Sequence, residues 1–293
     1  MGGGKLLINK LLRPYLTFSI IAICCFLLND IIISGSFTGV KMLIINIYKT
    51  LTAFGIKAIW FIPSYFIASY IFCKTFRYSL KCQILLLLMW CLVGIGGSEL
   101  LCYLKDNIKD SFYYDVAYFP IAAVLRGVAC TYYLVLGRFV YVIYELWRYK
   151  PYLKIIVIIS CTLCFACSFY FSQSLYGTNF SLLMLGSNPY MSFICGAWGA
   201  VWFITFFYLI RKYYVFPLLQ YVGRKSLVIM GTHMSMLLTT ITPLLLGKIF
   251  MMPLSGTFYY YIFGVGCVGL MLILEIPIIW LFDGRFRSLV SKN

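Results

Sequence analysis

The sequence holds a single histidine, His233, in the stretch QYVGRKSLVIMGTHMSML from Gln220 to Leu237. An imidazole titrates nearest neutrality among ordinary side chains, so it can take a proton from a hydroxyl and pass it to a leaving group. The spacing predicts a helix break at Gly223, with Arg224 and Lys225 in water and Ser226 capping a new helix. His233 would then lie roughly 10 Å below the basic end, at 1.5 Å per residue, on one face with Ser226, Met230 and Leu237. Glu275, in the last apolar run, falls at similar depth, about 9 Å from that run's basic end. A carboxylate there would orient the ring and hold its proton, making His233 and Glu275 candidates for catalysis. The plainer reading of His233 is a hydrogen-bonded packing residue.

Other ionisable groups fall where a bilayer would penalise them. Arg126 and Glu99 lie near the outer ends of two neighbouring apolar runs and are expected to pair, either as a structural tie or at an acceptor site. Arg13, followed by Pro14, opens the first run with Lys10 one turn earlier; the two would anchor the helix or form a fork for phosphates. Arg224 and Lys225 offer a second basic turn on the same side, where topology alone also accounts for them. The uncharged stretch FSQSLYGTNFSLLMLGSNPYMS would present Asn179 and Asn188 to a sugar or turn the chain twice. Cys161, Cys164 and Cys167 have ligand-like spacing, but no histidine or acid accompanies them, so no metal site is expected.

These residues need elements to hold them, and composition dictates which. Of 293 residues, 63% are hydrophobic and 11% charged, with a mean hydropathy of +0.94. A soluble domain would be about half apolar and a quarter charged, so an all-α polytopic membrane bundle follows, read as one domain over 1–293. About eight runs meet the ~20-residue length of a span. They lie near Leu16–Ile33, Ala58–Cys73, Gln83–Tyr103, Phe119–Leu136, Ile155–Phe171, Met191–Ile210, Leu227–Gly247 and Phe258–Leu281.

The net charge of +16 would suit nucleic acid, but the basic residues fall in short gaps between spans, as the positive-inside pattern requires. Lys74, Arg77 and Lys81, then Arg138, Arg148, Lys150 and Lys154, then Arg211, Lys212, Arg224 and Lys225, then Arg285, Arg287 and Lys292 mark the cytoplasmic side. Both termini are therefore expected inside. Lys105 and Lys109 are balanced by Asp106, Asp110 and Asp115 on the outer side. The stretch GVKMLIINIYKTLTAFG reads as an amphipathic helix lying in the interface, and RFVYVIYELWRYKPYLK as a helix leaving the membrane and stopping before Pro151.

Five segments in order resemble the membrane acyltransferase 3 family. They are LLRPYL at Leu11–Leu16, AIWFIPSYFIASYIF at Ala58–Phe72, FPIAAVLRGVACTYYLVLG at Phe119–Gly137, GTNFSLLMLGSNPYMSFICGAWG at Gly177–Gly199 and YVGRKSLVIMGTHMSM at Tyr221–Met236. The resemblance implies transfer of an acyl group, typically acetyl, from cytoplasmic acyl-CoA to a hydroxyl of a cell-surface glycan, in a bacterial cytoplasmic membrane. Acyl-CoA would be the donor substrate, with no bound cofactor and no nucleic-acid partner. Arg13 matches the family arginine that meets the donor's phosphates, and His233 the histidine of a late segment. Family members carry two further helices first, which bear the histidine regarded as the base. The chain thus reads as a shortened member, as a relative with His233 recruited, or as a binding relative without catalysis. A small-solute transporter, which would show repeats and broken helices, and a non-catalytic partner in glycan assembly are the other classes.

Overall fold

Within lipid a backbone must satisfy its own hydrogen bonds, and long aliphatic runs do so as helices. The computed structural model describes residues 3–34, 39–108, 112–149, 151–172, 178–210, 217–234, 236, 238–250, 257–284 and 286. Their order is α1 (Gly3–Ser34), α2 (Val40–Leu51), a 3-10 turn (Lys57–Trp60), α3 (Phe61–Thr75), α4 (Leu80–Ile108), α5 (Phe112–Tyr149) and α6 (Pro151–Ser172). Then come β1 (Thr178–Asn179), a 3-10 turn (Phe180–Leu182), β2 (Met184–Leu185), α7 (Pro189–Ile210), α8 (Pro217–Thr232), α9 (Leu238–Phe250) and α10 (Thr257–Asp283). Lys109, Asp110, Lys150, Arg211, Lys212, Leu237, Arg285, Arg287 and Lys292, given roles from sequence, lie outside the described residues.

Among the described residues, five apolar segments are long enough to cross a membrane: Leu11–Ile32, Lys81–Asn107, Val116–Leu146, Pro189–Ile210 and Ile262–Asp283. The chain is accordingly an all-α integral membrane protein. At 1.5 Å per residue α5 is about 57 Å long, more than the ~30 Å hydrocarbon layer, so it projects beyond it. Pro151 starts α6 at the first helical position, where its missing N–H costs nothing, which sets the α5–α6 boundary where the sequence predicts it. The expected amphipathic helix is α2. The first span corrects the reading of Pro14: α1 begins at Gly3, so Pro14 is inside the helix rather than in its first turn.

The chain divides into two compact units, Met1–Ile62 with Pro217–Asn293, and Pro63–Phe216. In the first, Tyr15, Phe18 and Ala22 of α1 pack with Ile56, Ile59, Ile62, Val228, Ile229, Ile279 and Phe282. The Phe18 and Phe282 rings lie 5.6 Å apart. Gly231 of α8 sits against Phe18 so closely that a Cβ there would come within 2.4 Å of the ring. Tyr15 ties α1 to α2, its hydroxyl donating to the Thr50 carbonyl at 2.7 Å.

In the second unit α4 packs along α5 and α6 along α7. A two-stranded antiparallel hairpin pairs Thr178 with Leu185 and Asn179 with Met184, a feature not anticipated from the sequence. It is sewn to the helices by backbone groups. Tyr118 donates to the Leu182 carbonyl at 3.2 Å, and the Leu185 N–H donates to Ser98 Oγ at 3.3 Å.

The largest departure from expectation is in α8. It runs unbroken through Gly223 and Ser226, so Ser226 caps no helix and Gly223 ends none. Open space surrounds Gly223 and nothing there forces a turn. The expected single span Leu227–Gly247 is instead interrupted between Thr232 and Leu238. Side chains at the end of α8 bond back to its carbonyls, Thr232 Oγ1 to Val228 O at 2.7 Å and His233 Nδ1 to Ile229 O at 2.6 Å. Such local bonds compete with helix propagation and favour a bend or stop.

Candidate functional site

His233 is half-buried in the turn that follows α8, not on a helix face. Its Nδ1 lies 2.6 Å from the Ile229 carbonyl oxygen. A carbonyl only accepts, so Nδ1 carries the hydrogen and the neutral ring keeps its lone pair on Nε2. The same carbonyl accepts the His233 backbone N–H at 3.0 Å. The ring is thus fixed in one tautomer by its own helix, with Nε2 as the basic nitrogen.

Glu275 is fully buried on α10, and among the described residues Thr232 is its hydrogen-bond partner. Thr232 Oγ1 stands 2.8 Å from Oε2 and 3.0 Å from Oε1. The expected arrangement, a carboxylate orienting His233, is corrected: the carboxyl reaches the residue before the histidine, and a backbone carbonyl orients the ring. The physical reason is azimuth: successive residues of a helix point about 100° apart, so a carboxyl that meets Thr232 does not meet the residue after it. Thr232 has one hydroxyl hydrogen for two acceptor groups, the Glu275 carboxyl and the Val228 carbonyl.

The break exposes backbone carbonyls that a continuous helix would satisfy. Thr232 O keeps its helical donor, Met236 N–H at 2.7 Å, while the next two carbonyls take other donors: Thr239 N–H to His233 O at 3.4 Å, and Lys57 Nζ to Met234 O at 3.0 Å. Neither Thr232 nor Lys57 was a candidate site residue from sequence. The GTH tripeptide put Thr232 in view; nothing in the sequence tied Lys57 to Met234, 177 positions away.

The basic residues behave unequally. Arg13 is exposed on α1 and is available to an anion, with Lys10 three residues earlier on the same helix. Arg224 is exposed, and its Nε approaches its own Gln220 carbonyl at 3.4 Å. Lys225 pairs with Asp283 of α10 at 2.5 Å, so part of its charge is already answered.

Arg126 is fully buried. Among the described residues no ion pair joins Arg126 to Glu99: Glu99 is exposed on α4, while Arg126 Nε donates to Ser64 Oγ at 2.7 Å and its Nη1 donates to the Ser181 carbonyl. Depth along two helices suggested the pair, but the face of each helix decides it. The guanidinium therefore holds the hairpin loop against α3. Asn179 is exposed, and its Oδ1 accepts from the Ser181 N–H at 3.1 Å and from Ser181 Oγ at 2.6 Å. Asn188 likewise accepts from Met191 N–H at 3.1 Å at the start of α7. Both side-chain oxygens serve the local turns.

The second unit also has a cleft of about 390 Å³ between α5 and α7, lined by Tyr141, Tyr144, Glu145 and Tyr208 beside Gly137. Tyr144 stacks on Tyr208 with centroids 4.7 Å apart, and its hydroxyl is bonded to Thr205 Oγ1.

Comparisons with protein-family models, with curated proteins and with solved structures give no match. Fold and spans by themselves define a helical integral membrane protein whose first unit has an interrupted helix flanked by a lone histidine and a buried carboxyl.

Proposed function

We propose that this chain is an integral-membrane O-acyltransferase, moving an acyl group, acetyl in the simplest case, from cytoplasmic acyl-CoA to a hydroxyl of a cell-surface glycan or related acceptor. The observation that carries the reading is the fixed tautomer of His233 at a helix interruption. Its Nε2 takes the acceptor's hydroxyl proton as the oxygen attacks the thioester carbonyl. The new C–O bond forms, the C–S bond breaks, and the proton passes to the departing thiolate. Glu275 and Thr232 hold the end of α8 beside it. Arg13, Lys10 and Arg224 serve the donor's phosphates at the basic end, with Lys225 joining them when it leaves Asp283. Arg126, Glu99 and Asn179 belong to the acceptor or structural side. In this reading the chain crosses a bacterial cytoplasmic membrane about eight times with both termini inside.

Membranes holding the chain, given labelled acetyl-CoA and glycan acceptor, should transfer label, and His233→Gln should lower the rate by about 10²-fold or more, the usual worth of a general base. Equal transfer by the variant removes His233 from the chemistry.

A second reading, a small-solute transporter, is favoured by one observation: the interruption between α8 and α9, since discontinuous helices are how such proteins build their binding sites. Gradient-driven uptake into proteoliposomes, with no acyl transfer, would establish it instead.

A further inference from the structure

Lys57 has an unusual backbone. It begins the 3-10 turn at φ 49°, in the left-handed region that a residue with a side chain seldom occupies. The turn is clamped on both sides. Phe54, Ile56, Ala58 and Ile59 are buried, and Ile56 and Ile59 share the core with Val228 and Ile229 of α8. Gly55, at φ 79°, lies so near Trp60 that a Cβ would come within 2.6 Å of its backbone. Ala53 is also left-handed, at φ 58°. Backbone conformations of this kind persist only where the surroundings impose them, and they concentrate where a protein needs a group held in place.

The group held here is an ammonium. Lys57 Nζ donates at 3.0 Å to the Met234 carbonyl, one residue past His233 in the gap between α8 and α9. That carbonyl belongs to the non-helical segment and is one of those the interruption leaves without a helical donor. The turn that carries Lys57 packs on the α8 residues Val228 and Ile229, and Ile229 is the residue whose carbonyl fixes the imidazole. One rigid turn thus supports both sides of His233.

We propose that Lys57 is a positioning residue of the His233 site: its ammonium holds the Met234 carbonyl, and so fixes the turn that presents the Nε2 of His233. The role of that nitrogen in acyl transfer rests on the reading above, whereas the control of the ring by Lys57 does not. A lysine merely reaching into solvent would leave the imidazole indifferent to its removal.

His233 is the only histidine in the sequence, so its carbethoxylation by diethyl pyrocarbonate, followed by mass spectrometry of its peptide, reads one ring. The full chain in detergent or nanodiscs is compared with Lys57→Met and Lys57→Arg. In Lys57→Met the turn loosens, and modification is expected to accelerate about fivefold, the net worth of one solvent-exposed hydrogen bond. Lys57→Arg retains a donor and stays near the parent rate. An unchanged rate in Lys57→Met, or an acceleration that Lys57→Arg shares, overturns the proposal. Where Lys57→Met fails to accumulate, Lys57→Gln, a shorter uncharged donor, is expected to give an intermediate rate, and the parent rate there is equally fatal. Where acyl transfer is measurable, Lys57→Met lowers kcat and leaves KM in place. Absence of acyl transfer alongside an accelerated ring refutes the acyltransferase reading and keeps the role of Lys57.

Discussion

Thr232 Oγ1 lies 2.8 Å from Glu275 Oε2 and 2.7 Å from the carbonyl of Val228, one turn back on its own helix. A single hydroxyl at the end of α8 thus meets both a buried carboxyl on α10 and the backbone it would otherwise continue. Replacing Thr232 by Val keeps the shape and removes the hydroxyl. The carboxyl is then left buried with its hydrogen-bond partner gone, at a cost of about 1–3 kcal/mol. Thermal unfolding in detergent should show this loss for Thr232→Val and a smaller one for Thr232→Ser. Parent-like melting of Thr232→Val would mean that the contact contributes little.

Gly231 and Gly223 stand two turns apart on α8 and should answer oppositely to alanine. A Cβ at Gly231 meets the Phe18 ring at 2.4 Å, whereas at Gly223 it meets nothing within 4 Å. Overpacking makes Gly231→Ala destabilising by about 1–3 kcal/mol. Gly223→Ala should be neutral or stabilising by about 0.4–1 kcal/mol, because the helical backbone suits alanine and its unfolded chain has less freedom to lose. The two melting temperatures, measured side by side, decide it.

The bonds of Arg126 include one from Nε to Ser64 and one from Nη1 to the Ser181 carbonyl. Lysine cannot reproduce that fork. Arg126→Lys is expected to free the hairpin loop, read as faster hydrogen exchange over residues 178–185 than in the parent. Ser64→Ala, which removes one arm, should cost about 1 kcal/mol and move the exchange less. Protection that survives Arg126→Lys would assign the hairpin's order to its other ties, among them Tyr118, Ser98 and Ser192.

The Lys225–Asp283 pair is partly exposed on both sides, 27% and 45%. Such pairs contribute about 0–1 kcal/mol, so Lys225→Ala should barely change stability. Asp283→Asn, in turn, frees the ammonium. On the acyltransferase reading it should lower the KM for acyl-CoA at low ionic strength, an effect that added salt screens out. A KM indifferent to both changes would take Lys225 out of donor binding.

The amino-acid order alone determined the membrane setting, because no soluble fold can bury this many aliphatic residues with so few charges. It also determined α2, whose apolar positions recur at helical spacing between two lysines, and the α5–α6 boundary, which Pro151 dictates without help from any neighbour. Hydrophobicity could not tell where the stretch after Gly223 would stop being helical, because glycine is tolerated in a packed helix and the apolar run continues on both sides of the stop. Only tertiary packing decided that the helix passes Gly223 and ends at Thr232, where Phe18 admits no side chain at Gly231, Glu275 engages Thr232, and a lysine 177 positions away from Met234 takes up its carbonyl. Depth along a span follows from counting residues, so Arg126 and Glu99 looked like partners. Which way each helix face points is set by the neighbours it packs against, and that turned Arg126 to Ser64 and the hairpin instead.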